Sequence, residues 1–215
     1  MNTEKQKVII VGAGFGGIWA AEKFTKHPHL DVTIIDKNNY HTFLPLLYQV
    51  AAAELEPERI AKPVRSLFRD HSNIHFQFGT VTSVDFEQQQ VHTNSQSYHY
   101  DYLVLAMGST NHYFGTPGAE EHSYTLKSLT EGIALRNRIL ERVEKATRIT
   151  DPEEKQRLLT FVVVGGGPTG VEYAGALAEL LHYPVDKDFP ELNLRQEARI
   201  VLVEAADSLL RGIGG

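Results

Sequence analysis

One pattern occurs twice in this chain, and it narrows the fold more than any other feature. A short β-branched run, Val8-Ile9-Ile10-Val11, ends in Gly12-Ala13-Gly14-Phe15-Gly16-Gly17. A helix-compatible stretch from Ile18 to Lys26 follows, then a second strand-like run, Asp31-Val32-Thr33-Ile34-Ile35-Asp36. The same order returns later: Leu158 to Val164, then Gly165-Gly166-Gly167-Pro168-Thr169-Gly170, a helix-compatible stretch from Val171 to Leu181, and Ala198 to Glu204. Near-continuous apolar strands separated by helices suit a parallel sheet covered on both faces. The expected class is α/β, with two Rossmann-like units.

The segments between the repeats differ in character. Ile74 to Ala106 is rich in short β runs (IHFQF, VTSVDF, QVHT, SYHY and YLVLA). It is expected to form a small antiparallel excursion that returns to a core strand at Leu103 to Ala106. Further on, Ser128-x-x-Glu131 is a capping box, and Leu129, Ile133, Leu140 and Val143 form one apolar stripe, which predicts a helix from Leu129 to Lys145. Asp151 before Pro152 predicts another short helix, with the acid as cap and proline at the first helical position. The expected divisions are a first nucleotide domain over 1–112, a helical connector over 113–157 and a second nucleotide domain over 158–215.

The glycine turns carry the chemistry. At a helix start, unpaired backbone N–H groups and the helix dipole favour a negative charge such as a pyrophosphate. In GxGxxG the first glycine permits the sharp turn, and the second lets the backbone approach the phosphate. The third allows close packing of helix on strand. Gly12, Gly14 and Gly17 hold these places in the first unit, and Gly165, Gly167 and Gly170 in the second. A lone motif of this kind is weak, but each one here has a strand before it, a helix after it and an acid closing the next strand. Those acids, Asp36 and Glu204, stand where ribose hydroxyls would donate to them, although for Glu204 an exposed acid at a strand end is the ordinary alternative. A carboxylate at Glu204 would repel a 2′-phosphate, which favours NADH over NADPH at the second turn. Two such units suggest a relay in which one dinucleotide is held and the other diffuses.

Composition removes other classes. The 215 residues contain no cysteine, so dithiol chemistry, disulfides and thiolate metal sites are absent from this stretch. Net charge is −6 with both signs interspersed, which leaves no basic footprint for a nucleic acid; the aromatic YHYDY run (Tyr98 to Tyr102) fits strands better than a base-stacking platform. Ten histidines are scattered with no metal-ligand spacing, so no metal site is expected. No apolar run reaches bilayer-spanning length. Lys5 and Lys7 before an apolar run imitate a signal peptide, but the glycine spacing fits the nucleotide turn. The chain is therefore expected in the cytosol or on the cytosolic face of a membrane.

Tandem glycine turns with a β excursion between them resemble the two-dinucleotide flavoprotein superfamily that includes the glutathione-reductase-like enzymes. Asp101-Tyr102-Leu103-Val104-Leu105-Ala106-Met107-Gly108-Ser109 is similar to the second FAD signature of that superfamily. Two segments narrow the resemblance to type II NADH:quinone oxidoreductases, the single-subunit, non-pumping NADH dehydrogenases. They are Asp36-Lys37-Asn38-Asn39-Tyr40-His41-Thr42-Phe43-Leu44-Pro45-Leu46-Leu47-Tyr48-Gln49-Val50-Ala51 and Gly165-Gly166-Gly167-Pro168-Thr169-Gly170-Val171-Glu172-x-Ala174-Gly175.

The resemblance implies FAD at the first turn and NADH, as substrate, at the second. Hydride would pass to the flavin N5, and two electrons would pass on to a membrane quinone, menaquinone in the first instance. It also implies a peripheral seat on the cytoplasmic face of the cell membrane, through a C-terminal segment beyond this chain. Homodimers are common in such families. By the same resemblance, FAD is held by Gly12, Ala13, Gly14, Phe15, Gly16 and Gly17. Asp36, Lys37, Asn39 and Tyr40 stand beside the adenosine, Val81 lies at the adenine, and Ala106 and Gly108 lie near the flavin nucleotide. For NADH the residues are Gly165, Gly167, Pro168, Thr169, Gly170 and Glu204, with Glu172 as the catalytic residue, reaching toward the nicotinamide–flavin contact where its carboxylate would orient the nicotinamide amide or help handle protons.

Ordinary explanations stand beside several of these. Asn39 and Tyr40 fit a polar turn, Val81 fits sheet core, and an acid such as Glu172 is favoured in the first turn of a helix by the dipole. Pro45 to Gln49 would line the flavin ring, yet a buried apolar loop accounts for most of that segment. The cysteines that dithiol reductases and sulfide:quinone oxidoreductases need are missing. Family members are longer, so the chain reads as incomplete, ending in Arg211-Gly212-Ile213-Gly214-Gly215 without strand or helix character. A soluble FAD-dependent reductase that serves ferredoxin or another protein, and a non-catalytic nucleotide-binding module, remain as alternatives.

Overall fold

The computed structural model describes residues 5–211; the glycine-rich tail from Gly212 lies outside the described residues. In chain order the first elements are β1 (Gln6–Val11), α1 (Phe15–Phe24), β2 (Leu30–Asp36), β3 (Tyr40–Thr42), α2 (Leu47–Ala51), α3 (Pro57–Ile60), β4 (Ala61–Pro63), α4 (Val64–Leu67) and β5 (Ile74–Phe78). Then come β6 (Val81–Asp85), β7 (Gln90–Thr93), β8 (Ser97–His99) and β9 (Tyr102–Leu105). The remainder is α5 (Ala119–His122), α6 (Leu129–Ala146), α7 (Pro152–Leu158), β10 (Thr160–Val164), α8 (Pro168–His182), α9 (Pro184–Asp188), α10 (Leu194–Glu197) and β11 (Arg199–Val203). The chain divides into two compact units, Met1–Phe43 with Ala61–Thr110, and Leu44–Ile60 with Asn111–Gly215. The α/β class with parallel sheets holds for both.

In the first unit a four-stranded sheet runs in the order β5-β2-β1-β9, with every neighbouring pair parallel. Val8, Ile9, Ile10 and Val11 are all buried, because β1 is central and both of its faces are covered. Val8 and Ile10 pack with Ile18 and Ala21 of α1, Val64 of α4, and Phe68. Ile9 and Val11 pack on the other side with Val91 and Tyr100, where β6, β7 and β8 form a separate antiparallel sheet. Each fully buried aliphatic side chain contributes about 1.5–3 kcal/mol.

One strand falls elsewhere than the sequence suggests. Ile74 to Phe78 is not part of the antiparallel excursion; it pairs parallel with β2, in register from Val32↔Ile74 to Asp36↔Phe78. As an edge strand it buries only Ile74 and Phe76 and exposes His75, so it alternates as a half-exposed antiparallel strand would.

The helices also begin and end differently. Both α1 and α8 start three residues earlier than expected, at Phe15 and Pro168, which takes the last motif glycines into the first turn. Leu158 closes α7 rather than opening a strand, because Asp151 caps a helix that runs through it, accepting from the N–H groups of Glu153 and Glu154. The capping box is present as expected. Glu131 N–H donates to Ser128 Oγ at 3.3 Å, and Ser128 N–H donates to Glu131 Oε2 at 2.9 Å.

The buried stripe of α6 is Leu129, Gly132, Ile139, Val143 and Ala146, so it is turned slightly from the one read in the sequence, and Ile133 and Leu140 are only half-buried. Leu47 of α2 explains the rotation. A Cβ on Gly132 would lie 2.9 Å from Leu47 Cδ1, so that side chain rests against the α6 backbone. The same contact explains why Leu44–Ile60 belongs to the second unit. There α2, α6 and α8 share a core that includes Ala51, Val143, Leu177 and Leu181. Beside it β10 and β11 form a two-stranded parallel sheet. Among the described residues no helix is long and apolar enough to cross a membrane.

Candidate functional site

The two glycine turns are built by the same set of hydrogen bonds. Gly12 N–H donates to Ile35 O at 2.8 Å, and Gly165 N–H to Val203 O at 2.8 Å, extending each ladder by one residue past the strand. Ile18 N–H then reaches Gly14 O at 3.0 Å and Val171 N–H reaches Gly167 O at 3.1 Å, which starts each helix. Gly12 and Gly165 have φ of +104° and +111°, a region that side-chain-bearing residues rarely adopt.

Each glycine has its own reason. A Cβ on Gly17 would lie 1.8 Å from Gly12 O, and one on Gly170 would lie 1.9 Å from Gly165 O, so the third glycine in each turn is required by helix-on-turn packing. The middle ones are different. Gly14 (φ −72°, ψ −169°) and Gly167 (φ −75°, ψ 178°) have backbone geometry open to any residue, and a Cβ on either would meet no atom within 4 Å. Nothing in the folded chain demands glycine at those two places.

These are also the two N-caps. Neither helix start carries a side-chain cap or an acidic residue in its first turn, whereas α6 and α7 are capped by Ser128 and Asp151. The orphan N–H groups of α1 and α8 are thus left to something other than the helix's own side chains. Glu172 lies beyond this zone. It is the fifth residue of α8 and exposed, not in the first turn as expected, so the dipole that fades within that turn does not account for it.

The acids grip the turns. Asp36 Oδ2 accepts from Ala13 N–H at 2.6 Å and Oδ1 from Asn38 N–H at 2.7 Å. Glu204 repeats the pattern, with Oε2 accepting from Gly166 N–H and Oε1 from Ala206 N–H at 2.8 Å. Those backbone donors hold the Glu204 carboxyl below its usual range. Each acid therefore fixes the residue between the first two glycines and keeps lone pairs on both oxygens.

The other expected site residues fall in the first unit in two groups. Ala106 reaches the turn: its N–H donates to Val11 O at 2.8 Å, and a Cβ on Gly12 would lie 2.3 Å from its carbonyl oxygen. Gly16 faces it too, with its Cβ position 3.6 Å from Ala106 Cβ. Gly108 has φ +76° and open space around it. Phe15 opens α1. Lys37 and Asn39 are exposed just past β2, and Asn39 O accepts from Val64 N–H at 3.0 Å. Tyr40 is half-buried and pairs with Pro63 in the β3–β4 ladder. Val81 opens β6 opposite Thr93 and packs against the Val91–Tyr100 cluster. In the second unit Pro168 and Thr169 are the first two residues of α8.

Sequence reasoning missed the groups that hold the other side of each turn. His41 Nδ1 lies 2.9 Å from Ala13 O, and Leu210 N–H donates to Gly166 O at 2.7 Å. Leu209 covers the second turn, since its Cδ2 lies 2.6 Å from where a Gly166 Cβ would be. Position offered the one available signal, as both segments follow the strand-end acid closely. Among the described residues no group of three or more His, Asp or Glu is arranged to hold a metal ion.

Two strand–glycine turn–helix units with acid-ended second strands define the class, an α/β oxidoreductase fold with two Rossmann-like halves. The chain belongs to the pyridine nucleotide-disulphide oxidoreductase family, whose model matches residues 6–214. It is similar to the type II NADH:quinone oxidoreductase Ndh of Mycobacterium tuberculosis, with 39% identity covering 98% of this chain and 46% of that protein. NdhA of the same organism is 37% identical, covering 98% and 45%. The structure of NDH2 from Plasmodium falciparum in complex with NADH aligns with TM-score 0.86 at 28% identity, covering 96% of this chain and 43% of that one. The chain thus spans about half the length of the curated relatives it matches.

Proposed function

We propose that this chain supplies the FAD turn and the NADH turn of a type II NADH:quinone oxidoreductase. The observation that carries the proposal is the pair Gly14 and Gly167. Both are glycines that the protein's own packing and dihedrals leave unexplained, each at an uncapped helix start. A pyrophosphate seated there gives the reason, since a side chain would stand in its place.

The residues fit the two nucleotides. At the first turn the N–H groups from Gly14 onward face the FAD phosphates, Asp36 takes the ribose, and Lys37, Asn39, Tyr40 and Val81 flank the adenosine. Ala106 and Gly108 leave room for the flavin nucleotide. At the second turn Gly167, Pro168, Thr169 and Gly170 receive the NADH phosphates and Glu204 takes the ribose, its charge excluding a 2′-phosphate. Bound at its turn, FAD supplies the two-electron relay between nicotinamide and acceptor. Glu172, exposed in the second turn of α8, orients the nicotinamide amide or handles a proton there.

The acceptor rests on the relatives, since the two Mycobacterium proteins are both named as quinone oxidoreductases. A quinone acceptor, menaquinone in the first instance, implies a peripheral seat on the cytoplasmic face of the cell membrane through a segment outside these 215 residues. A homodimer is the proposed assembly.

The test is anaerobic mixing of the full-length polypeptide with NADH. Flavin absorbance is expected to bleach and to recover when a menaquinone analogue is added. Recovery with ferredoxin but not with quinone rejects the acceptor, and no bleaching rejects the relay. Glu172→Ala is expected to slow flavin reduction or reoxidation at least about tenfold with FAD still bound. Unchanged rates in both half-reactions would remove it from the mechanism.

A further inference from the structure

We infer that His41 is a positioning residue for the first glycine turn: it holds the Ala13–Gly14 peptide plane in the orientation that presents the Gly14 N–H to the bound pyrophosphate. The inference rests on the FAD assignment made above and names a residue that assignment does not include.

The geometry begins at Ala13, the one non-glycine between Gly12 and Gly14. Its N–H is fixed by Asp36 at 2.6 Å, and its carbonyl lies 2.9 Å from His41 Nδ1. A carbonyl oxygen only accepts, so Nδ1 carries the proton in this contact. The peptide that follows is planar and trans, so fixing the Ala13 oxygen also fixes the Gly14 N–H, which points the opposite way. Glycine on both sides of Ala13 leaves this turn much backbone freedom to lose. A clamp on each side of one residue removes that freedom before the ligand arrives, and binding to a preorganised site forfeits less affinity to ordering.

His41 is itself held in place. It sits in the middle of β3, paired with Lys62 of β4. Its ring meets Phe15 edge-on with centroids 5.1 Å apart, and Phe15 in turn meets Phe43 at 5.5 Å. A half-buried imidazole paired in a strand and braced edge-on by Phe15 is a well-aimed donor.

The second unit supplies independent support. Gly166 occupies the place of Ala13, its N–H is held by Glu204, and its carbonyl accepts from Leu210 N–H at 2.7 Å. The donors are unrelated, an imidazole in one unit and a backbone amide in the other, yet both reach the same carbonyl of the motif. Recurrence through different chemistry says that this carbonyl must be held if the turn is to receive phosphate.

The test uses the full-length polypeptide, stripped of FAD and titrated with it, for the wild type and for His41→Leu and His41→Asn. Leucine keeps bulk and loses the donor, whereas asparagine places an amide N–H near the Nδ1 position. FAD affinity is expected to fall about fivefold to tenfold in His41→Leu and to return to within about twofold of wild type in His41→Asn. Phosphorus NMR of the bound pyrophosphate should shift in the leucine variant and not in the asparagine variant, a signature that a loss of packing alone would not give. Equal affinity in wild type and His41→Leu, or failure of His41→Asn to recover, overturns the role of His41. A wild type that binds no FAD at all overturns the underlying assignment instead, and this inference falls with it.

Discussion

The two glycine turns share their hydrogen bonds but not their surroundings. In the first unit the residue after β9 lies against the turn, so a Cβ on Gly12 would lie 2.3 Å from the Ala106 carbonyl oxygen, whereas one on Gly165 would meet nothing within 4 Å. Val11, at the end of β1, is 4% exposed, and Val164, at the end of β10, is 80% exposed. Among the described residues the sheet behind the first turn has four strands and that behind the second has two. What the turns share despite this is the positive φ, the close helix, the uncapped N-terminus and the acid on the middle residue, the features the proposed function assigns to a bound phosphate.

Substitutions can separate those two sets. The largest loss is expected from Gly17→Ala and Gly170→Ala, whose new methyl groups would fall on carbonyl oxygens 1.8 and 1.9 Å away. Each should lower stability by roughly 3 kcal/mol or more in a denaturant titration. Similar losses in the two units would mean that the shared geometry is equally tight. Gly12→Ala and Gly165→Ala come next and should not match. Both incur about 1–2 kcal/mol for a side chain at positive φ, but only Gly12 also collides with Ala106, so its variant should be the less stable. Equal loss would mean that the strand beside the first turn has no energetic part in it.

The smallest effect concerns pH at the second turn. Hydrogen bonds from Ala206 and Gly166 hold the Glu204 carboxyl below its ordinary value of 4.5. A group with a lowered folded pKa contributes fully above its unfolded value, and the contribution is lost as pH falls through the folded one. The Glu204 contribution should therefore be constant from neutrality to about pH 4.5 and be lost in stronger acid, so that a part of the acid fall in melting temperature is missing in Glu204→Gln. An identical acid limb in both proteins would show that the carboxylate does not brace the turn.

Local signals made much of this legible before any coordinates. Both glycine turns, the Ser128–Glu131 box and the Asp151 cap each lie within a few residues of what they determine, so spacing alone reveals them. The two acids, 23 and 38 residues from the turns they hold, are legible only through their place at the end of the next strand. Where the deciding contact is distant, the sequence is ambiguous. Ile74 to Phe78 alternates polar and apolar residues because it is a sheet edge, and alternation does not distinguish a parallel edge from an antiparallel strand. The turn of α6 onto its Gly132 face depends on Leu47, 85 positions earlier by the numbering. The contact of His41 with Ala13 is equally hidden, since it spans 28 residues. A histidine in a short strand gives no hint of it.

Gly14 and Gly167 decide the central claim, because the protein leaves them free to be anything else. Replacing each with valine in the full-length polypeptide and titrating FAD and NADH separately tests it directly. Stability should change by no more than about 1 kcal/mol, the difference between glycine and a β-branched residue at an N-cap. Gly14→Val should weaken FAD by well over about tenfold, or about 1.4 kcal/mol, and leave NADH affinity unchanged, with the reverse for Gly167→Val. Two folded variants that bind both nucleotides as tightly as the wild type would contradict the account.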